Sequence, residues 1–209
     1  AITPYRSEKN TNWEGGYRVP AMVRWPGRVP ANSVSNEVMS HLDWVPTLMA
    51  AVGNPNIKQE LKEGTRIGDS SFKVHLDGFN FLPYLTGDAD KGPRDEFFYF
   101  SDDGKLVGLR TGDWKLVFAE QRARQFQVWR EPFVDLRIPK LFHLRRDPFE
   151  RADTDSNHYQ DWSMRKISTA SKPGIVKVQK FLMTFKEFPP RQRPASFTID
   201  QIVEKFMAW

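Results

Sequence analysis

Lys9-Asn-Thr-Asn-Trp-Glu-Gly-Gly-Tyr-Arg-Val-Pro20 is the stretch whose reading decides the rest of this chain. Lys9 precedes Glu14 by five residues, and two glycines, Arg18 and Pro20 follow. Downstream, Ala21-Met-Val-Arg-Trp25 reads as a short β-strand and Pro26-Gly27 as a turn. Paired glycines allow backbone angles closed to other residues, and let another chain or an anion approach closely. Lys9 and Arg18 both suit oxyanions, the lysine as a point charge and the arginine as a planar fork. Residue chemistry leaves two readings side by side: an anion-binding loop, or a tight turn with solvated charges.

Outward from this stretch, Asp43 is placed to cap a helix over 44–52, which Gly53 stops. His41 and Asp43 read as an acid–base pair or, preferred, as a packed histidine beside a capping aspartate. Residues 53–75 are polar and weakly periodic, which predicts a surface excursion. His75 and Asp77 stand two apart, on opposite faces of a strand, which argues against joint chemistry. Asn80 opens a short helix that ends at Gly87.

From Arg94 the period drops to two. Strands are expected over Glu96–Ser101, Leu106–Arg110, Trp114–Ala119 and Leu141–Leu144, with Asp102-Asp103-Gly104-Lys105 as a hairpin turn. This predicts a four-stranded antiparallel meander. Glu120–Lys140 is a long connection mixing Arg122, Arg124, Trp129, Arg130 and Arg137 with Phe126 and Phe133. Such a mixture suits an aryl ring with an anionic group, or a partner surface. Residues 159–188 read as helical, with Ile175, Val178, Phe181, Leu182 and Phe185 as the apolar stripe and a break at Pro173-Gly174. A proline strap follows, and Thr198 opens a last helix with Ile202, Val203 and Phe206 inward.

The 209 residues suffice for one domain or a domain plus an appendage, and seven tryptophans with sixteen phenylalanines argue against disorder. A net charge of +5 is compatible with an anionic substrate without demanding one. Neither an RNA-binding aromatic signature nor a zinc-finger spacing is present, so nucleic acid is not an expected partner. No apolar run approaches the ~20 residues of a membrane span. With no cysteine, the chain has no disulfide and no thiolate chemistry, and the compartment stays open. An opening Ala1 reads as a fragment or processed product.

Lys9-x4-Glu14-Gly15-Gly16-x-Arg18-Val19-Pro20, continuing into Arg24-Trp25-Pro26-Gly27, resembles a conserved block of the type I sulfatases (arylsulfatases). Four further segments resemble that family in the same order: 40–48, 76–87, 109–115 and 141–148. Five collinear motifs make the resemblance specific over about residues 1–150.

The resemblance implies a mixed α/β and α+β fold. Residues 1–93 would be the carboxy-terminal part of an alkaline-phosphatase-like α/β catalytic domain. Residues 94–209 would form a small antiparallel-sheet domain with terminal helices. It implies sulfate ester hydrolysis by a formylglycine made in a Cys/Ser-x-Pro-x-Arg motif, beside calcium held by acidic ligands. Neither that motif nor the family's Asp-Asn-Gly occurs here, so the expected role is a carboxy-terminal portion, inactive alone and binding no metal itself. Lys9 matches the family lysine that contacts sulfate. Glu14, Gly15, Gly16 and Arg18 would shape its loop; the expected substrate contacts Arg124, Trp129 and Arg130 come from the aromatic–arginine mixture of Glu120–Lys140 and not from the resemblance. Expected partners are a sulfate ester, the amino-terminal part of the catalytic domain and, through exposed apolar surface, a second copy. A non-catalytic binding or assembly module, and kinship to phosphatases or phosphonate hydrolases, stand as alternatives.

Overall fold

The structure, a computed structural model, describes residues 3–189. The strap through Arg191 and Pro194 and the expected helix opened by Thr198 lie outside the described residues. Two compact units are present. One comprises residues up to Arg18 together with Phe98–Val176, the other Val19–Phe97 together with Lys177–Pro189.

The first unit is built on an antiparallel meander of β3 (Glu96–Phe100), β4 (Leu106–Thr111), β5 (Trp114–Glu120) and β6 (Val134–His143), in that spatial order. Gly104 (φ 73°) and Gly112 (φ 55°) make the first two turns, where a side chain would be strained. Leu109 pairs with Leu116, and Leu116 with Leu141, so the apolar set falls in register. β6 starts seven residues earlier than the periodicity indicates. Its partners on β5 shift between Val117 and Ala119, from Lys140 to Asp135, and Pro139 falls within that slip. An edge strand tolerates a proline there because no ladder bond is lost.

Val107, Leu109, Leu116, Val117, Leu141 and Phe142 are buried in the sheet. Trp13 meets Phe142 edge-on at 5.8 Å, and Tyr159 stacks on Phe142 at 5.7 Å. The Tyr159 hydroxyl donates to the Leu141 carbonyl (3.0 Å) and accepts from its N–H (3.1 Å). After the short α5 (Ala152–Asp155), α6 runs unbroken from Tyr159 to Glu187. The predicted break at Pro173-Gly174 does not occur. A Cβ on Gly174 would lie 2.9 Å from Leu116 and 3.2 Å from Leu109, so this glycine lets the helix approach the sheet. Within the expected stripe, Val178, Phe181 and Phe185 are half-buried while Ile175 and Leu182 are exposed.

In the second unit, a 3-10 turn at His41–Asp43 leads into α2 (Trp44–Ala51). Ser40, not Asp43, caps this turn; Asp43 completes the reciprocal capping box through the Ser40 N–H at 2.8 Å. Asp43 is fully buried and takes a two-pronged bond from Arg94, at 2.9 and 2.6 Å. Its remaining lone pairs accept from Phe79 N–H (2.7 Å) as well, while His41 is exposed. Among the described residues Asp43 makes no bond to His41, and the histidine is exposed rather than packed as expected.

Two further expectations fail in this unit and one is refined. Residues 53–75 lie at the surface as expected, most of them exposed, but they form α3 (Ile57–Glu63) and a hairpin of β1 (Thr65–Ile67) with β2 (Ser70–Phe72), with only Ile57 and Leu61 buried. Ala21–Trp25 has no strand partner, so its β-propensity goes unused. His75 and Asp77 flank a non-strand residue and their side chains meet at 3.1 Å. The helix before Gly87 is present as α4 (Leu82–Thr86), with Asn80 accepting from Leu82 N–H at 2.9 Å.

Candidate functional site

The Lys9 segment is a tight turn held from two sides. Thr11 closes it by donating both its N–H (3.2 Å) and its hydroxyl (2.6 Å) to the Glu8 carbonyl. Ser7 and Asn10 on either side adopt left-handed conformations, φ 61° and 68°, a region that asparagine tolerates better than most. The next residues dive inward. Asn12 donates to the Ala119 carbonyl at 2.6 Å and Trp13 to the Gln121 carbonyl at 3.2 Å, both across the end of β5.

Glu14 opens the single-turn α1 (Glu14–Tyr17) and is buried. One of its oxygens accepts from Tyr99 (2.7 Å) and Lys115 (3.0 Å). Lys115 is fully buried, with Glu150 as second partner at 2.7 Å; Glu150 also accepts from the Glu14 N–H at 2.6 Å. The lysine further lies over the Tyr99 ring at 4.2 Å. Two carboxylates thus share one buried cation, with Arg110 and Arg18 each 3.9 Å from the outer oxygen of Glu14.

The two acids respond oppositely. Burial pushes the Glu14 carboxyl up, but Lys115, the Tyr99 hydroxyl and Arg110 together hold it below its ordinary value. At Glu150 burial prevails: the attraction of Lys115 is opposed by the neighbouring charge of Glu14, and the group lies above its ordinary value. Burial and the Glu14 charge also raise the Tyr99 hydroxyl well above its usual range. A carboxyl with a raised folded-state pKa contributes stability below its ordinary value of 4.5, lost as pH rises through the folded value. Glu150→Gln removes that loss. The variant should therefore gain on the parent as pH rises from about 4 to about 7. Urea unfolding across that range tests this; a difference independent of pH would show that Glu150 titrates as in the unfolded chain.

The glycine pair has the second of its two uses. Neither glycine has positive φ. A Cβ on Gly15 would stand 2.2 Å from the Ser7 carbonyl oxygen, and one on Gly16 2.7 Å from that of Glu8. The group that approaches closely is the chain's own backbone, the segment leading into Lys9. Gly15 N–H also donates to the Arg6 carbonyl at 2.8 Å.

Lys9 itself is exposed, and its ammonium lies 5.7 Å from the centre of the Trp129 ring. Trp129 ends a 3-10 helix (Gln125–Trp129) within the connection that now spans 121–133. Gln121 pins that connection, donating to Glu131 at 2.6 Å and accepting from Ala123 at 2.8 Å. Gln125 N–H donates to the Glu8 carboxylate. The structure therefore brings Lys9 and Trp129 together. Arg124 and Arg130 flank the same 3-10 helix and are exposed. Arg18 is exposed too, its guanidinium 4.1 Å over the Tyr5 ring.

A family model for sulfatases matches residues 2–54. Arylsulfatase G of Canis lupus familiaris is 34% identical over 160 residues, covering 73% of this chain and 27% of that protein. Arylsulfatase A of Homo sapiens is 34% identical over 156 residues, covering 69% and 27%. The crystal structure of a sulfatase from Pseudoalteromonas sp. aligns with a TM-score of 0.67 at 25% identity, over 91% of this chain and 34% of its own. The chain belongs to the sulfatase family. It corresponds to a carboxy-terminal portion of that fold, and spans about a quarter of the length of the curated relatives it matches.

Within this sulfatase chain, the described residues contain no group of three histidine, aspartate or glutamate side chains able to hold a metal. The calcium that the family resemblance implies finds no such ligand set among the described residues. Among the described residues, no helix is long and apolar enough to cross a membrane. Sequence reading passed over Asn12, Lys115, Glu150 and Gln121 as site-shaping groups. For Lys115 a signal existed: a lone cation between Trp114 and Leu116 in an inner strand must find a buried acid.

Proposed function

We propose that this chain is the carboxy-terminal portion of a sulfate ester hydrolase and that Lys9 contacts the sulfate oxygens of the substrate. The observation that carries this is the presentation of Lys9. Its turn is anchored to the sheet through Asn12 and Trp13, while its ammonium is exposed and has no acidic partner among the described residues. An ammonium fixed in this way stabilises negative charge where it develops on the equatorial oxygens during sulfuryl transfer. Trp129, Arg124 and Arg130 line the substrate side in this reading, the ring holding an apolar or aryl body and the guanidiniums its anionic groups.

Glu14, Gly15, Gly16 and Arg18 shape the loop rather than react. Residues 1–93 complete the catalytic domain, and 94–209 are the small sheet domain. Nucleophile and metal cage match no residues of this chain, so these 209 residues alone are inactive. In the intact protein, Lys9→Ala should lower turnover of an aryl sulfate by about 10²–10³-fold, the usual effect of removing one oxyanion-stabilising donor. Thermal unfolding should be unchanged, because the side chain is exposed. Unchanged turnover would remove Lys9 from the mechanism.

A further inference from the structure

Beside the end of β6 in the sheet unit lies a cavity of about 320 Å³, lined by Phe142, His143, Tyr159 and Trp162 among others. A second space of about 410 Å³ shares His143, Arg146 and Trp162 with it and adds Trp114 and Lys166. The volumes fall at the lower end of the range for small-molecule sites.

The walls are aromatic. Trp114 and Trp162 lie nearly parallel, 22° apart with centroids at 6.1 Å, and His143 meets Trp114 edge-on at 4.6 Å. The rim is cationic. Arg146 and Lys166 are exposed, and neither has an acidic partner among the described residues. Asp147, the carboxylate on this lining, is committed elsewhere: its two oxygens accept from Arg151 and Ala152 N–H groups, both at 2.9 Å, at the start of α5. One ring nitrogen of His143, Nδ1, is shut off from water and has no hydrogen-bond partner.

None of these residues belongs to the Lys9 site or the Glu14–Lys115–Glu150 cluster. We propose that this pocket binds a ring-bearing anion, one sugar or aryl ring carrying a single sulfate or carboxylate. The ring lies against the two indoles and the anionic group meets Arg146 and Lys166. Indole faces favour flat or CH-rich rings, and two cations on one rim, with no acidic partner among the described residues, favour one oxyanion over a neutral group.

The test uses sulfonates, whose C–S bond resists hydrolysis, titrated calorimetrically into the intact protein carrying Lys9→Ala. Benzenesulfonate and 6-deoxy-6-sulfoglucose are the two arms, and whichever binds identifies the ring. Saturable binding by either, weakened about tenfold or more by Arg146→Gln with Lys166→Gln, is expected from the loss of charge-assisted bonds. Binding should also weaken as salt rises. Both substituted residues are exposed, so an unchanged unfolding temperature accompanies the result. Failure of both sulfonates to bind, or binding indifferent to the double substitution, would overturn the proposal. Because Lys9 is already absent, neither outcome bears on its role in turnover.

Discussion

Lys115→Met should destabilise the protein by about 3–5 kcal/mol at neutral pH, the usual consequence of removing one partner from a buried ion cluster. Met matches the lysine stem in length, so the loss is not mainly one of packing. What remains is Glu14 and Glu150, joined by a 2.6 Å backbone contact and deprived of their shared cation. Arg110 stays at 3.9 Å from Glu14 and offsets a small part. Both carboxyls would then rise in pKa, so the folded form would hold protons more tightly than the unfolded one. Stability gained from such groups is present at low pH and lost as pH rises. The deficit against the parent should therefore shrink between about pH 7 and pH 5. Adding Glu150→Gln should recover part of it, because one uncompensated charge is gone. Urea unfolding of the parent and the two variants at both pH values measures this; a deficit under about 1 kcal/mol at pH 7 would place the cluster in solvent-like surroundings.

Asp43→Ala should be comparably costly, at about 3–5 kcal/mol. The carboxylate is fully buried and serves four donors: Arg94 Nε and Nη2, Ser40 N–H and Phe79 N–H. Removing it strands a guanidinium that is itself buried, and leaves two backbone N–H groups without their acceptor. Arg94 keeps its bonds to the carbonyls of Asp77 (3.0 Å) and Glu96 (3.1 Å), which do not neutralise its charge. The Gly78 backbone is pressed against Leu42, where an added Cβ would lie 2.0 Å from the Leu42 oxygen, so the unit has little room to relax. Asp43→Asn should cost less, since the amide oxygen keeps one acceptor. Thermal unfolding with both variants decides the matter, and equal behaviour of Asn and Ala would mean that charge, not acceptor count, holds this hub.

Where sequence and structure part, range is the reason. Asp102-Asp103-Gly104-Lys105 and Thr111-Gly112-Asp113 announce turns because positive φ at a glycine is a property of a few consecutive residues. The strands around them follow from side chains alternating along one segment. Pro173-Gly174 misleads for the opposite cause. Locally it reads as a helix stop, yet Gly174 is selected by Leu109 and Leu116, more than fifty positions away. His75 and Asp77 mislead likewise, since the face rule applies to a strand and no strand forms there. In the candidate site, Lys9 and the aromatic–arginine connection were each visible, but their approach through Trp129 was not.

By itself the sequence determined the antiparallel meander and its turns, the helix before Gly87, and the ordered motifs that mark a sulfatase. Those depend on neighbours a few positions apart, where geometry leaves little choice. Only the tertiary structure decided that Glu14 is held by a lysine 101 positions away and linked to a glutamate 136 positions away. It also decided that the glycine pair seats the backbone leading into Lys9. Charge pairing in a buried setting depends on which distant segments exclude water together, and no local pattern of residues encodes that.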